Sequence, residues 1–357
     1  MKNFLIFAVV ASLLLLYFGG CTAGVTEGFS DIEEGDKINN TNPEDPYTIP
    51  DQPFPMFKQA SFLRVKMVSE SEIHFEFSSP VRVISISFEP ALSIDSIEDG
   101  KTVKVFLKET PEPFLYIMAD LLVEDEGENV FSMQAQFRSR NMNIPELYIN
   151  ELRTEFTSPN RAEFIEFYIK TAGNLGGLRV FAAGNYKNPM IYEFSPVEVK
   201  EGQYVVLHLR SFSDLCVDEY GPDLGASGGN DSSPNARDFW IPGATELLRK
   251  TDAVYVLDEV DRALTAVMIS ETPDLFWKKD YFEKAAEFLF NEGVWESPAG
   301  GICTPLDAVS SAKIKSSSTR SISRDETVAD SHTALDWYVT QNYGATPGLP
   351  NDPIRFD

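Results

Sequence analysis

The sequence predicts an all-β protein made of two immunoglobulin-like β-sandwiches, the second carrying a long insertion that contains one helix. Three observations lead there. Apolar and polar residues alternate at period two through most of the stretch from Phe62 to His208, the pattern of strands with one buried face. Turn clusters such as "SESE" and "EDGK" punctuate these runs, as hairpins require. Only "TPDLFWKKDYFEKAAEFLFNEG" reads as a convincing helix, and 43% hydrophobic residues, with 26 Phe and 13 Tyr in 357 residues, are enough for two cores.

The first segment stands outside the fold. Lys2 precedes an apolar run from Phe4 to Phe18 that is shorter than the roughly 20 residues a spanning helix needs and fits the apolar region of a secretory signal. Gly19 and Gly20 leave room at a scissile bond, and the thiol of Cys21 follows as a nucleophile for diacylglyceryl transfer. This stretch resembles a bacterial lipoprotein signal with a relaxed, spirochaete-like lipobox, in which Phe18 replaces the usual aliphatic residue. The resemblance implies a signal peptide over residues 1–21, lipidation at Cys21, and a chain held by lipid on the periplasmic or outer surface of the cell envelope. Residues 22–58 are rich in Asp, Glu, Asn and Pro without periodicity. Such a stretch cannot bury enough surface to offset chain entropy, so it is assigned as a flexible acidic tether.

Residues 59–143 form the first predicted sandwich. Leu63, Val65 and Met67 alternate, then Ile73, Phe75 and Phe77, with further strands around Ile84 to Phe88, Val103 to Leu107, Phe114 to Met118 and Phe131 to Phe137. The passage "SEIHFEFSSPV" resembles a strand of the immunoglobulin-like domains in bacterial surface proteins of the SbsA type. A joint is expected at "RSRNMNIPEL".

Residues 144–357 form the second. Ile165, Phe167 and Ile169 share one face of a strand, leaving Glu166 and Tyr168 on the other. The ordered series "RAEFIEFYIKTAGNLGGLRVF", "YEFSPVEVKEGQYVVLHL", "STRSISRDE" and "ALDWYVTQNYGATPGLPND" resembles a lamin tail domain. That resemblance implies an immunoglobulin-like sandwich with Trp337 in its core. The excursion from about residue 210 to 315 is far longer than a plain sandwich connection, although "TDAVYVLDEVDRALTAVMIS" within it reads as two core strands. The helix is expected to start at Pro273 and Asp274, to carry Tyr281, Ala285, Phe288 and Leu289 as an apolar stripe, and to stop at Gly293. Its Phe276-Trp277 end offers an alternative partner-binding nose.

With Cys21 acylated, Cys216 and Cys303 remain in an exported protein, and a disulfide between them is expected to staple the excursion. His74, His208 and His332 have no metal-ligand neighbour at zinc-protease spacing, no nucleophile elbow or phosphate-cradling glycine loop occurs, and Asp330, Ser331, His332 and Asp336 are close in sequence only. The sequence therefore points to no catalytic residue, cofactor or metal. The Asp- and Gly-rich loop from residue 211 to 245 lacks the alternating spacing of a calcium loop. Within it Phe239 and Trp240 form an aromatic pair in a polar rim and are the predicted partner-binding residues. With 55 acidic against 30 basic side chains, net −25, and no basic stripe, nucleic acid is excluded as a partner. The expected function is that of a non-enzymatic envelope lipoprotein presenting sandwich modules to a protein, glycan or envelope component. The alternatives are an exported hydrolase or nuclease-associated protein, or a calcium-dependent adhesion module.

Overall fold

The computed structural model describes residues 59–157, 161–243 and 246–356; the leader, Cys21 and the tether assigned to residues 22–58 lie outside them. The first sandwich contains β1 (Phe62–Met67), β2 (Glu72–Glu89), β3 (Ile94–Glu98), β4 (Gly100–Leu107), β5 (Tyr116–Asp125) and β6 (Val130–Arg138). They form one folded sheet in the order β3-β4-β2-β5-β6, with β1 added against β2. The length of β2 makes this possible. Its first half pairs with β1 and β4, and its second half, from Val81 to Glu89, pairs with β5. The alternation read from the sequence sets the core: Ile73, Phe75 and Phe77 are buried with Val103, Val105, Ile117 and Val123. Phe75 meets Phe137 edge to face at 6.2 Å, the preferred arrangement for two rings.

The second sandwich begins with β7 (Leu147–Arg153), β8 (Phe164–Ile169), β9 (Gly173–Asn174), β10 (Arg179–Ala182), β11 (Met190–Glu193), β12 (Glu198–Val199) and β13 (Tyr204–His208). It continues through β14 (Ala236–Trp240), β15 (Asp252–Leu257), β16 (Ala263–Ser270), α1 (Asp280–Asn291), β17 (Val309–Ser310), β18 (Ile322–Arg324) and β19 (Trp337–Val339). One sheet runs β14-β13-β8-β7-β18-β19, a second runs β11-β10-β15-β16-β17, and β9 pairs with β12. Ile165, Phe167 and Ile169 of β8 share a buried core with Val254 and Val256 of β15 and Val267 of β16. The long excursion is therefore no appendage, because β14 to β17 lie within it and feed both sheets.

Helix α1 starts at Asp280, six residues beyond Asp274, and buries Phe282, Ala285, Ala286 and Leu289. It ends at Asn291, and Gly293, just beyond the capping Glu292, has a φ of +72°, the left-handed conformation that glycine adopts at low cost. The start is later because residues 273–279 lie over the domain in non-helical form. Among the described residues no helix is long and apolar enough to cross a membrane.

The joint between the sandwiches is clasped. Arg138 pairs with Glu193 at 2.9 Å and Arg140 with Glu259 at 2.9 Å. Asn141 Nδ2 donates to the carbonyls of Asn174 at 2.7 Å and Gly176 at 2.9 Å.

Candidate ligand-binding site

Segment 273–279 builds one wall of an open cavity of about 440 Å³ at the edge of the second sandwich, within the roughly 300–1,000 Å³ usual for ligand sites. The turn carrying Gly184 and Tyr186, Thr251 and the end of β16 at Ser270 line it as well. Tyr186 and Tyr281 stack nearly parallel, with centroids 5.6 Å apart and planes 12° from each other. Trp277 is fixed by its indole N–H, which donates to the carbonyl of Cys303 at 2.9 Å. At the mouth, Phe276 is 82% exposed and Tyr186 60% exposed, so both rings stand open to solvent on the same cavity.

Buried Asp252 ties the Gly184 turn to Arg249 on the same side of the cavity. Its carboxylate accepts the amides of Gly184 at 2.7 Å and Arg249 at 3.0 Å. Burial pushes its pKa up to about 7, against the pull of those amides. In the rim, Asp274 accepts from Thr272 Oγ1 at 2.6 Å and pairs with Lys278 at 2.9 Å. The Thr272 hydroxyl first, and then Lys278, hold its pKa below the usual carboxylate value.

The residues predicted from sequence are placed elsewhere. Phe239 and Trp240 are not a surface anchor: β14 runs parallel to β13 and is buried along its whole length. The Trp240 ring stacks on His208 at 3.8 Å, and its N–H donates to Ser227 Oγ at 2.8 Å. A side chain on Gly229 would collide with that indole. The expected Cys216–Cys303 disulfide is also corrected, since both cysteines are free thiols. Cys216 lies 3.8 Å from Ser213 Oγ in the acidic loop, whereas Cys303 is buried in the core and donates to the carbonyl of Thr304. Burial pushes the Cys303 thiol up to about 12.

The acids of the loop are held within the domain. Asp218 accepts the amide of Trp240 at 2.8 Å, Asp231 pairs with Arg153, and Asp238 lies 2.8 Å from His208 Nε2. Among the described residues no group of three His, Cys, Asp or Glu side chains is arranged to hold a metal ion. His74 pairs with Glu72 at 2.6 Å. His332 lies 3.3 Å from Asp330, while Ser331 Oγ donates to Asp336 at 2.8 Å, so serine and histidine engage different carboxylates. Trp337 is half-buried against the core.

Sequence reasoning missed Tyr186 and Tyr281 as partners. The available signal was the aromatic residue inside the "AGNYKNP" turn, where nothing local can cover it. It also missed a buried polar centre. Glu151 of β7 and Glu166 of β8 are paired across the strands and fully buried. Glu151 accepts from the hydroxyls of Ser321 and Ser323 and from the amide of Thr346. Glu166 accepts from Asn150 and from the amide of Gly348. The C-terminal segment thus lies over the face of β8 opposite Ile165, Phe167 and Ile169. Gly348 has φ +77°, and a Cβ there would come within 2.5 Å of Ser233, so glycine is required at the covering turn.

A family model described as a protein second domain matches residues 145–339, which spans the second sandwich. An uncharacterized protein of Treponema pallidum (strain Nichols) is 27% identical over 228 residues, covering 60% of this chain and 55% of that protein. The chain thus spans about half the length of this curated relative. Among solved structures, a DUF4876 family protein from Bacteroides thetaiotaomicron VPI-5482 aligns with 10% identity over 58% of this chain and 77% of that chain, at a TM-score of 0.21.

Proposed function

This chain belongs to the protein second-domain family, and from that premise we propose that it is a non-enzymatic, lipid-anchored envelope protein whose second sandwich binds a partner at the Tyr186–Trp277 cavity. The observation that carries the reading is the exposed aromatic wall. Phe276 and Tyr186 stay at the surface although burying a large side chain is worth about 1.5–3 kcal/mol; the Asp252 carboxylate fixes the Gly184 turn next to Tyr186, and the Trp277 indole N–H fixes the segment next to Phe276. A preformed apolar site with a polar rim gives up little ordering entropy on binding. The anchoring half of the reading rests on Lys2, the apolar run and Cys21.

Two experiments test the halves separately. Growth with a radiolabelled fatty acid is expected to mark the wild-type chain and leave Cys21→Ser unlabelled; equal labelling removes the anchor. The detergent-solubilised full chain, immobilised and exposed to an envelope fraction, is expected to retain its partner several-fold better than Phe276→Ser does. The thermal midpoint is expected to be the same for both, because residue 276 is solvent-exposed. Equal retention by the two chains places the binding surface elsewhere.

A further inference from the structure

We propose that the Tyr186–Trp277 cavity takes an uncharged glycan, with one or two sugar rings seated against its aromatic wall and the chain continuing over Phe276. This rests on the reading that the cavity binds a partner and adds the chemical class of that partner. The first reason is shape. Tyr186 and Tyr281 stack within 12° of parallel, so one ring covers a face of the other, and Tyr186, 60% exposed, is left to offer its outer face as a flat apolar surface. The C–H face of a pyranose is flat and apolar in the same way, and the ring quadrupole attracts its weakly positive hydrogens.

The second reason is the polar complement. The hydroxyls of Thr251, Ser270 and Thr272 and the carboxylates of Glu271 and Asp274 line the same cavity. Sugar hydroxyls both donate and accept, so they match a rim containing groups of both kinds. The third reason is charge. Asp274 pairs with Lys278, Arg249 with Glu246, and Glu271 lies 3.8 Å from Lys250. Of the charged side chains lining the cavity, only Lys279 enters no ion pair among the described residues. A charged ligand would compete with pairs already formed, whereas a hydroxylated neutral one can add to them. Finally, Phe276 at 82% exposure extends the apolar surface past the mouth, which suits a polymer rather than an isolated monosaccharide.

The test is calorimetric titration of the detergent-solubilised full chain with cellotetraose, chitotetraose and laminaritetraose at low and high salt. At least one probe is expected to saturate, with affinity nearly independent of salt. Tyr186→Ala and Phe276→Ser are each expected to weaken that binding by roughly tenfold, the scale of a residue worth about 1.4 kcal/mol at an interface. Both variants should keep the wild-type thermal midpoint. Absence of binding to all three probes, unchanged affinity in both variants, or affinity that collapses with salt overturns the proposal. A photocrosslinker at position 276 separates the two levels of the reading. If no probe binds but an envelope protein is crosslinked there, the cavity remains a binding site and the glycan class falls. If neither occurs, both readings fall.

Discussion

Trp240→Ala is expected to destabilise the second sandwich by roughly 3–5 kcal/mol, the range for deleting a large aromatic from a packed core. The indole is 5% exposed and sits at the end of β14, stacked on His208 and hydrogen-bonded to Ser227. Its removal opens a cavity beside His208, which the neighbouring strands cannot close without moving β13. It also strips the buried His208–Asp238 pair of the ring that shields it, and leaves the Ser227 hydroxyl without its indole donor. Urea denaturation of the variant should show a much lower midpoint. Retention of the partner at the aromatic cavity, measured under conditions where the variant is still folded, should match the wild type, because that cavity is lined by residues of other segments. An unchanged midpoint with lost retention would put the indole at the surface and restore the acidic loop as the binding site.

The contrast between β14 and β8 shows what the sequence made legible and what it hid. Where a strand pairs with near neighbours and one face is solvated, alternation is sufficient. Ile73, Phe75 and Phe77, and likewise Ile165, Phe167 and Ile169, were legible for that reason and all lie in cores. β14 escaped because every one of its residues is buried. A strand covered on both faces has no alternation, and its "ARDFW" carries two charged side chains whose hydrogen-bond partners lie far away in sequence. Arg237 donates to the carbonyl of Gly221 at 2.8 Å, and Asp238 faces His208.

Glu166 was hidden for a related reason. A glutamate on the outer face of a strand reads as solvated, and only the return of Thr346 to Asn351 from the far end of the chain buries it. The aromatic cavity was half legible. "LFWKK" looked like an exposed nose on a helix, and Phe276 is indeed exposed, but the residues that make it a site are Tyr186 and Asp252. Tyr186 lies 90 residues before Phe276, in the turn after β10, and Asp252 lies 24 residues before it, at the start of β15, so no local pattern links them.

The buried carboxyls lead to the other large effect: the chain is expected to become more stable as pH falls from 8 to 5. Glu151 and Glu166 are fully buried on adjacent strands. Burial raises both, and for Glu166 the facing Glu151 charge raises it further. The groups around them are Asn150, Arg153, Ser321, Ser323, Glu326 and the amides of Thr346 and Gly348. Their hydrogen bonds and the Arg153 charge favour ionisation, Glu326 opposes it at Glu166, and burial outweighs the rest. Glu163, paired with Arg210, and Asp252 are each pushed by burial to about 7, from ordinary values of 4.5 and 3.8.

A carboxyl with a higher pKa folded than unfolded keeps a proton that the unfolded chain has released. Its contribution is therefore complete below the ordinary value and is lost as pH rises through the folded one. For Glu163 and Asp252 that window runs from about pH 4 to about pH 7, and for Glu166 it extends higher. Carboxyls shifted the other way, including Asp274, Asp280 and Asp325, lose their contribution only below their ordinary values near 3.8. The stability maximum should accordingly lie near pH 4, and stability at pH 5 should exceed that at pH 8 by on the order of 2–4 kcal/mol. Glu166→Gln removes the repulsion between the facing carboxylates, keeps an acceptor for Asn150 or Gly348, and should flatten part of the slope by raising stability at pH 8. Urea midpoints at pH 5, 6.5 and 8 for both chains decide the matter. A wild-type midpoint that stays level or falls on acidification, or a Glu166→Gln slope identical to wild type, would mean that these carboxyls are ionised in the folded chain and that their donors outweigh their burial.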